Sequence, residues 1–323
     1  HYDDKSGQNF ENYHPYSVIS CETQKIIVPA FEPKLRNILM IIHRFPILTH
    51  EYIAFQKYTN NSNIRTLPGI FYVNAFHSEM QNSRKVTHLI NYCKRNNLDF
   101  LTFDHYAHGL SSGSITKDIN NVTIGRWYND LYNIMEHETT NSQILIGSSM
   151  GFWLSLLTIL RGEEQLKKRI TGVIGIAPAI NFTENILKEA KENGQFLDGQ
   201  IIPPDSFYHR PSKYSPTGTY PISYYFLQES RNHLIDLKSI RNKINIPIVL
   251  IHGKLDSDIS YEETLKLADA LKNASGDNIR VKLIKDGDHR LSREQDFNVL
   301  DEEISKMAFG KSWSKEEKQD IVT

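Results

Sequence analysis

Runs of apolar residues bounded by polar or glycine-proline stretches recur along this chain, and their spacing changes character from one end to the other. Near the N-terminus, Ile26–Val28, Ile38–Ile42 and Tyr52–Phe55 are short and alternating, which predicts an antiparallel opening to a sheet. Further on, Phe100–Phe103, Gln143–Ile146, Ile170–Ile176, Pro247–Ile251 and Val281–Ile284 are continuous apolar runs of strand length. Between them lie stretches of helical length, about 79–95, a segment with Ile124, Trp127, Leu131, Ile134 and Met135 at helical spacing, Phe152–Leu160, and about 292–307. Strands buried on both faces alternating with helices predict an α/β fold, a mostly parallel sheet with helices on both sides.

The alternation breaks between Ala177 and Asn245, where helical pieces, Glu184–Glu192 and Tyr224–Leu234, flank a turn-rich segment, Ile202–Pro221. An insertion of that length between late strands predicts a helical lid at about 177–245. Residues 1–23 are polar with scattered tyrosines and are expected to form an N-terminal extension to a single domain over 24–323, whose last stretch, Gly310–Thr323, reads as a charged tail. Ser260 and Glu263 fit a capping box for the helix that carries Leu267, Ala268 and Leu271.

Composition excludes several classes. With 37 basic and 38 acidic residues the net charge is -1, so no footprint for nucleic acid or an anionic membrane is present. No apolar run approaches the roughly 20 residues that cross a bilayer, which predicts a soluble protein without a transmembrane segment. His1 to Asn12 lacks the apolar core of a secretory signal. Two cysteines, Cys21 and Cys93, make no disulfide framework and favour a reducing, intracellular setting. Acceptor patterns for N-glycosylation at Asn60, Asn121, Asn181 and Asn273 follow from the abundance of asparagine.

The chemistry gathers around Gly147-Ser148-Ser149-Met150-Gly151, a G-x-S-x-G pattern set between a buried strand and an apolar helix. That context is a nucleophile elbow: small residues allow a sharp turn that lifts the Ser149 hydroxyl above the sheet. The helix that follows points its N-terminus at the serine, making the Met150 N–H a candidate oxyanion donor. The Pro68-Gly69 turn, read as ending a strand, offers the Ile70 N–H as a second donor. A serine needs a base and a group that orients the base. Asp256 follows the strand ending near Ile251, and His289 follows the strand ending near Ile284, so both emerge on the edge that carries Ser149, in the order Ser, Asp, His. Asp258 and Asp288 are neighbouring acids read as turn or cap residues, and His105 and His108 as surface histidines of the loop after Phe103. The histidines show no metal-ligand spacing, and no cofactor is called for.

These pieces, with Leu67-Pro68-Gly69, Phe103-Asp104-His105-Tyr106, His252-Gly253-Lys254-Leu255-Asp256 and Asp288-His289-Arg290, resemble the α/β-hydrolase superfamily. Thr123-Ile124-Gly125-Arg126-Trp127, the Gly-Ser-Ser-Met-Gly elbow and Pro211-Ser212-Lys213-Tyr214-Ser215 are similar to one branch, the mitochondrial palmitoyl-protein thioesterases, or mycophenolic acid acyl-glucuronide esterases, and their bacterial relatives. The resemblance spans about 52–307. It implies an ester or thioester hydrolase acting on an S-acylated protein or acylated small molecule, with Ser149 as nucleophile, Asp256 as orienting acid, His289 as base, and Ile70 and Met150 as the oxyanion hole. It also implies mitochondria if the source is eukaryotic and cytoplasm if it is bacterial. The same triad would serve a small-molecule carboxylesterase or serine peptidase; a catalytically silent receptor of this fold is the rival of another class. Phe152 stands where a second glycine is familiar, which predicts a narrowed acyl pocket, and the segment before Tyr52 exceeds the family core.

Overall fold

The computed structural model describes residues 26–28, 40–48, 50–61, 67–272, 278–310 and 319–322. The expected extension 1–23, with Cys21, lies outside the described residues, as do Ile64–Thr66, Asn273 and residues 311–318 and 323 of the expected tail. The chain runs β1 (Ile26–Val28), β2 (Met40–Leu48), β3 (Glu51–Tyr58), β4 (Gly69–Val73), α1 (Arg84–Asn96) and β5 (Phe100–Phe103). Next come α2 (Ile124–Glu138), β6 (Gln143–Ser148), α3 (Met150–Arg161), α4 (Glu164–Lys167) and β7 (Ile170–Ile176). An inserted cap follows, with α5 (Phe182–Glu192), β8 (Phe207–Pro211), β9 (Thr219–Ser223), α6 (Tyr224–Glu229) and a 3-10 turn, Ser230–His233. The chain returns through β10 (Ile248–Gly253), α7 (Tyr261–Leu271), β11 (Ile279–Ile284), α8 (Glu294–Ala308) and β12 (Gln319–Val322).

Ten strands form one sheet in the order β1-β2-β3-β5-β4-β6-β7-β10-β11-β12. The first three pair antiparallel, β3 joins β5 antiparallel, and from β5 to β12 every pairing is parallel. Alternation with period two divides the core. Phe71 and Val73 of β4, Leu145 of β6 and Ile248 and Leu250 of β10 face α2, α3, α7 and the cap. Ile70, Tyr72, Ile144, Ile146, Val249 and Ile251 face the opposite layer, α1 and α8. Both faces are covered, so these strands read as unbroken apolar runs.

The helices form for local reasons as well. Ser83 caps α1 by accepting the Val86 N–H at 3.2 Å, and Thr123 caps α2 by accepting the Arg126 N–H at 3.0 Å. On α2 the stripe Ile124, Trp127, Leu131, Ile134 and Met135 is wholly buried. Ser260 caps α7, but it accepts the Glu262 N–H rather than engaging Glu263.

Two expectations on architecture change. The cap is not only helical, because β8 and β9 pair as an antiparallel hairpin within the turn-rich segment. The C-terminal stretch is not only a tail, since Gln319–Val322 adds β12 to the edge of β11. The topology fixes where a site can form. From β4 the chain goes to β5 on one side and then to β6 on the other, and such a switch opens a crevice outside the carboxyl ends of the strands.

Candidate active site

Ser149 occupies the turn between β6 and α3 with φ 51° and ψ −115°, a strained conformation for a residue with a side chain. The surroundings hold it there. Its N–H donates to the Ile176 carbonyl at 2.8 Å and its own carbonyl accepts from Ala179 at 3.2 Å. Close approach, rather than φ, explains Gly151: a Cβ there would lie 2.1 Å from the Val73 carbonyl oxygen and 2.9 Å from that of Asn74. The first turn of α3 therefore presses against the end of β4. Met150 is its first residue, so its N–H is one of the donors that no helical carbonyl reaches.

Asp256 follows β10 and His289 follows β11, and the structure brings the two together. His289 Nδ1 lies 2.7 Å from Asp256 Oδ2. A carboxylate only accepts, so Nδ1 carries the proton and Nε2 of the neutral ring is left with its lone pair. Asp256 Oδ1 is held in turn by the Asp258 and Ile259 N–H groups at 2.8 and 3.0 Å. Burial of the carboxyl alone would favour its neutral form. Hydrogen bonds from His252 and His289, the electrostatic pull of His289 and the Ile259 N–H outweigh that and hold it well below the usual carboxylate range.

His252, a residue sequence reasoning passed over, lies four positions before Asp256 at the end of β10 and is wholly buried. Its Nε2 is shared between Asp256 Oδ2 at 2.9 Å and the Ile259 carbonyl at 3.0 Å, and its Nδ1 meets Thr264 Oγ1 at 2.6 Å. It braces the carboxylate from the side away from solvent. The imidazole in the His-Gly pair that closes β10 was the available signal.

Ser149 and His289 line one cavity of about 180 Å³. Phe76 and His77 come to it from the loop after β4, Phe182, Ile186 and Ile222 from the cap, and Lys85, Asp258 and Arg290 from its charged side.

The placement of Ile70 requires a correction. Pro68-Gly69 begins β4 instead of ending it, and the Ile70 N–H donates to the Asp99 carbonyl at 2.8 Å at the far end of the strand from Ser149. The loop that leaves β4 beside α3 is Asn74–His77. In it the His77 N–H is taken by His108 Nε2 at 3.1 Å, while among the described residues the Ala75 and Phe76 N–H groups have no backbone acceptor.

His105 and His108 are likewise not surface residues. They are 0% and 6% exposed, and their rings pack edge to face at 5.7 Å beside Trp127. His105 Nε2 bonds the Asn74 carbonyl at 2.8 Å and His108 Nδ1 the Tyr106 carbonyl at 3.0 Å. Burial, with the neighbouring His108, pushes His77 and His105 down to about 3, and burial pushes His108 down to about 4. All three are neutral supports of the Asn74–His77 loop. Phe152 does not narrow the cavity: it is wholly buried against β7, where a Cβ on Gly175 would lie 2.7 Å from its ring.

Comparison with known proteins agrees with this fold. The Hydrolase_4 family, described as serine aminopeptidase, S33, matches residues 72–296. The human palmitoyl-protein thioesterase ABHD10, mitochondrial, is 28% identical over 253 residues, 77% of this chain and 74% of that protein. Its rat counterpart is 28% identical over 233 residues, 72% of each. The solved structure of mouse α/β-hydrolase domain-containing protein 10 superposes with a TM-score of 0.67 at 24% identity, covering 84% of this chain and 99% of that one. The family match spans β5, β6, β7, β10 and β11 of the sheet, the elbow and the Asp256 and His289 loops, and the chain belongs to the Hydrolase_4 family of the α/β-hydrolase superfamily.

Proposed function

We propose that this chain is a serine hydrolase that cleaves an ester or thioester through an acyl-enzyme. The observation that carries the reading is the bond between His289 Nδ1 and a buried, braced Asp256, with His289 and the strained Ser149 on one cavity wall. Ser149 Oγ attacks the carbonyl carbon while its proton passes to His289 Nε2. The oxyanion that forms is met by the Met150 N–H, at the positive end of α3, and by an N–H of the Ala75-Phe76 loop. Collapse of this intermediate breaks the bond to sulfur or oxygen, and His289 returns the proton to the leaving thiol or alcohol. Water, deprotonated by the same His289, then attacks the acyl carbon and releases the acid and Ser149.

Within this chemistry the favoured substrates are S-acylated protein cysteines or acyl glucuronides, which the relatives' thioesterase name and the branch resemblance support. Apolar side chains of the cap and of Phe76 suit an acyl group. An aminopeptidase would have to bind an α-ammonium group, and among the lining residues Asp258 is the sole carboxylate, outnumbered by Lys85, Arg210 and Arg290.

Labelling with a fluorophosphonate probe, with the adduct located by peptide mass spectrometry, tests the assignment. We expect an adduct on Ser149 that is absent from Ser149→Ala and His289→Ala. No adduct on folded wild type, or one elsewhere, would favour the catalytically silent reading. Turnover of S-palmitoyl peptide against an acyl glucuronide then ranks the substrates.

A further inference from the structure

Lys85 is the unusual residue of the cavity. It stands in the first turn of α1, is 7% exposed, and lines the same space as Ser149 and His289. An ammonium group has three donors. Here one goes to Ser292 Oγ at 3.0 Å, and no carboxylate of the described residues lies within 4 Å to form an ion pair with it. The nearest acids are committed elsewhere. Asp288 Oδ1 accepts the Arg290 and Leu291 N–H groups at 3.1 and 3.0 Å, and Asp296 is paired with Arg293 at 2.8 Å.

A buried cation without a counter-charge costs several kcal/mol and is ordinarily neutralised. Burial does draw Lys85 down, opposed by Asp288 and Asp296 and assisted by Arg290, but only to about 8, so it remains largely charged at neutral pH. Its position adds to the anomaly. The first turn of α1 holds Arg84 and Lys85 and no acid, the reverse of what the helix dipole favours. Arg290, next to His289, adds a second cation to the same wall. Its guanidinium stacks over the Tyr214 ring of the cap at 4.3 Å and forms no salt bridge among the described residues.

Two cations beside the candidate base, one of them buried without an ion pair among the described residues, share a lining whose sole carboxylate, Asp258, is exposed and paired with neither. We propose that the side of the cavity bearing Lys85 and Arg290 recognises an anionic oxygen group, carboxylate or phosphate, on the leaving group of the substrate. The inference rests on the serine hydrolase reading for its reaction but not for its binding site. An anion seated there would neutralise Lys85 and complement the N-terminus of α1, and would set the scissile carbonyl between Ser149 and the oxyanion donors.

Three aryl acetates test this: 4-acetoxybenzamide, 4-acetoxybenzoate and 4-acetoxyphenyl phosphate, which share the acyl group and differ in charge. The quantity read is the ratio of kcat/KM for each anion to that for the amide, compared between wild type, Lys85→Met and Arg290→Gln, so that intrinsic reactivity cancels. We expect the ratio to fall roughly tenfold or more in Lys85→Met and severalfold in Arg290→Gln, as for a lost charged hydrogen bond. The larger drop, for carboxylate or for phosphate, identifies the group. Lys85→Met replaces a buried cation without an ion pair by an apolar chain of similar length and leaves no charge unpaired, and Arg290 is exposed, so both variants are expected to fold. Unchanged ratios in both folded variants would overturn the proposal. Failure to cleave any acetate would count against the hydrolase reading instead. Calorimetry then decides the anion site alone: 4-hydroxybenzoate binding more tightly than 4-hydroxybenzamide in wild type but not in Lys85→Met supports it, and equal binding in the two proteins sinks it.

Discussion

Replacing Asp256 by asparagine separates orientation of the base from mere proximity, and the local geometry dictates how the amide sits. Oδ1 accepts two backbone N–H groups, from Asp258 and Ile259, at 2.8 and 3.0 Å. An asparagine places its carbonyl oxygen there, because the flipped amide would set its NH₂ against both donors and forfeit two hydrogen bonds, about 2 kcal/mol in all. The NH₂ group then occupies the Oδ2 position, 2.7 Å from His289 Nδ1. An amide donates where the carboxylate accepted. His289 answers by moving its proton to Nε2, the atom that must take the proton of Ser149. In the Ser-His-Asp template the same change of tautomer costs about 10⁴-fold in kcat. That corresponds to about 5.4 kcal/mol of barrier. For Asp256→Asn we expect a loss of this size in kcat with 4-nitrophenyl acetate, at little change in thermal stability, since His252 keeps the Ile259 carbonyl as partner. The reasoning fails if Asp256→Asn retains more than about a tenth of wild-type kcat, or if Asp258→Asn loses more than it does.

Three further changes probe the supports of the site. His252→Phe removes the second donor to Asp256 Oδ2 and leaves the Thr264 hydroxyl without its imidazole; about tenfold lower kcat is expected, with His252→Gln recovering part of it, and equal rates in all three proteins would deny the brace. Gly151→Ala sets a methyl group 2.1 Å from the Val73 carbonyl and forces α3 away from the Asn74–His77 loop, so kcat should fall by roughly a hundredfold, the scale of one lost oxyanion donor; full activity would place that hole elsewhere. Burial, partly countered by the Leu110 and Met80 N–H groups, raises the Asp104 carboxyl to about 7, against about 3.9 in an unfolded chain. The folded state then holds the proton more tightly, so Asp104 stabilises least when ionised: relative to Asp104→Asn, wild type should lose about 3 kcal/mol as pH rises from 4 to 7. Urea unfolding at both pH values reads this difference, and a constant gap between the two proteins would refute it.

What the sequence made legible and what it hid divide along a physical line. Strands buried on both faces announce themselves as apolar runs, and each residue of chemistry is read in the loop just past such a run. Ser149 after β6, Asp256 after β10 and His289 after β11 follow from that rule, and the parallel pairing of these strands brings their ends to one edge. The same rule, applied to Ile70–Val73 as the run, leads to Asn74–His77. Pro68-Gly69 misled because a turn signal marks a boundary without saying whether the strand precedes or follows it. The hairpin of β8 and β9 carries a proline at one end of its pairing, Pro211, and another in its middle, Pro221 opposite His209, and so reads as loop.

Direction and burial are harder to read than position. Phe152 lies three residues after Ser149, and only the packed structure shows its ring turned toward the bare backbone of Gly175 and away from the cavity. His105 and His108 carry polar atoms in a segment without periodicity, which reads as surface. Burial is tolerated because the Asn74 carbonyl takes one nitrogen of His105, and the Tyr106 carbonyl and the His77 N–H take both nitrogens of His108, while His105 Nδ1 has no partner among the described residues. Those partners come from the β4 loop and from the backbone two residues away, contacts that no local pattern records. Lys85 carries the argument one step further. In sequence it is one charge among several in a stretch of helical length, and only its burial beside Ser149 and His289 without an ion-pair partner turns it into a statement about the substrate. A buried group whose partners are all within the chain explains the fold. One whose partner is missing points to the ligand.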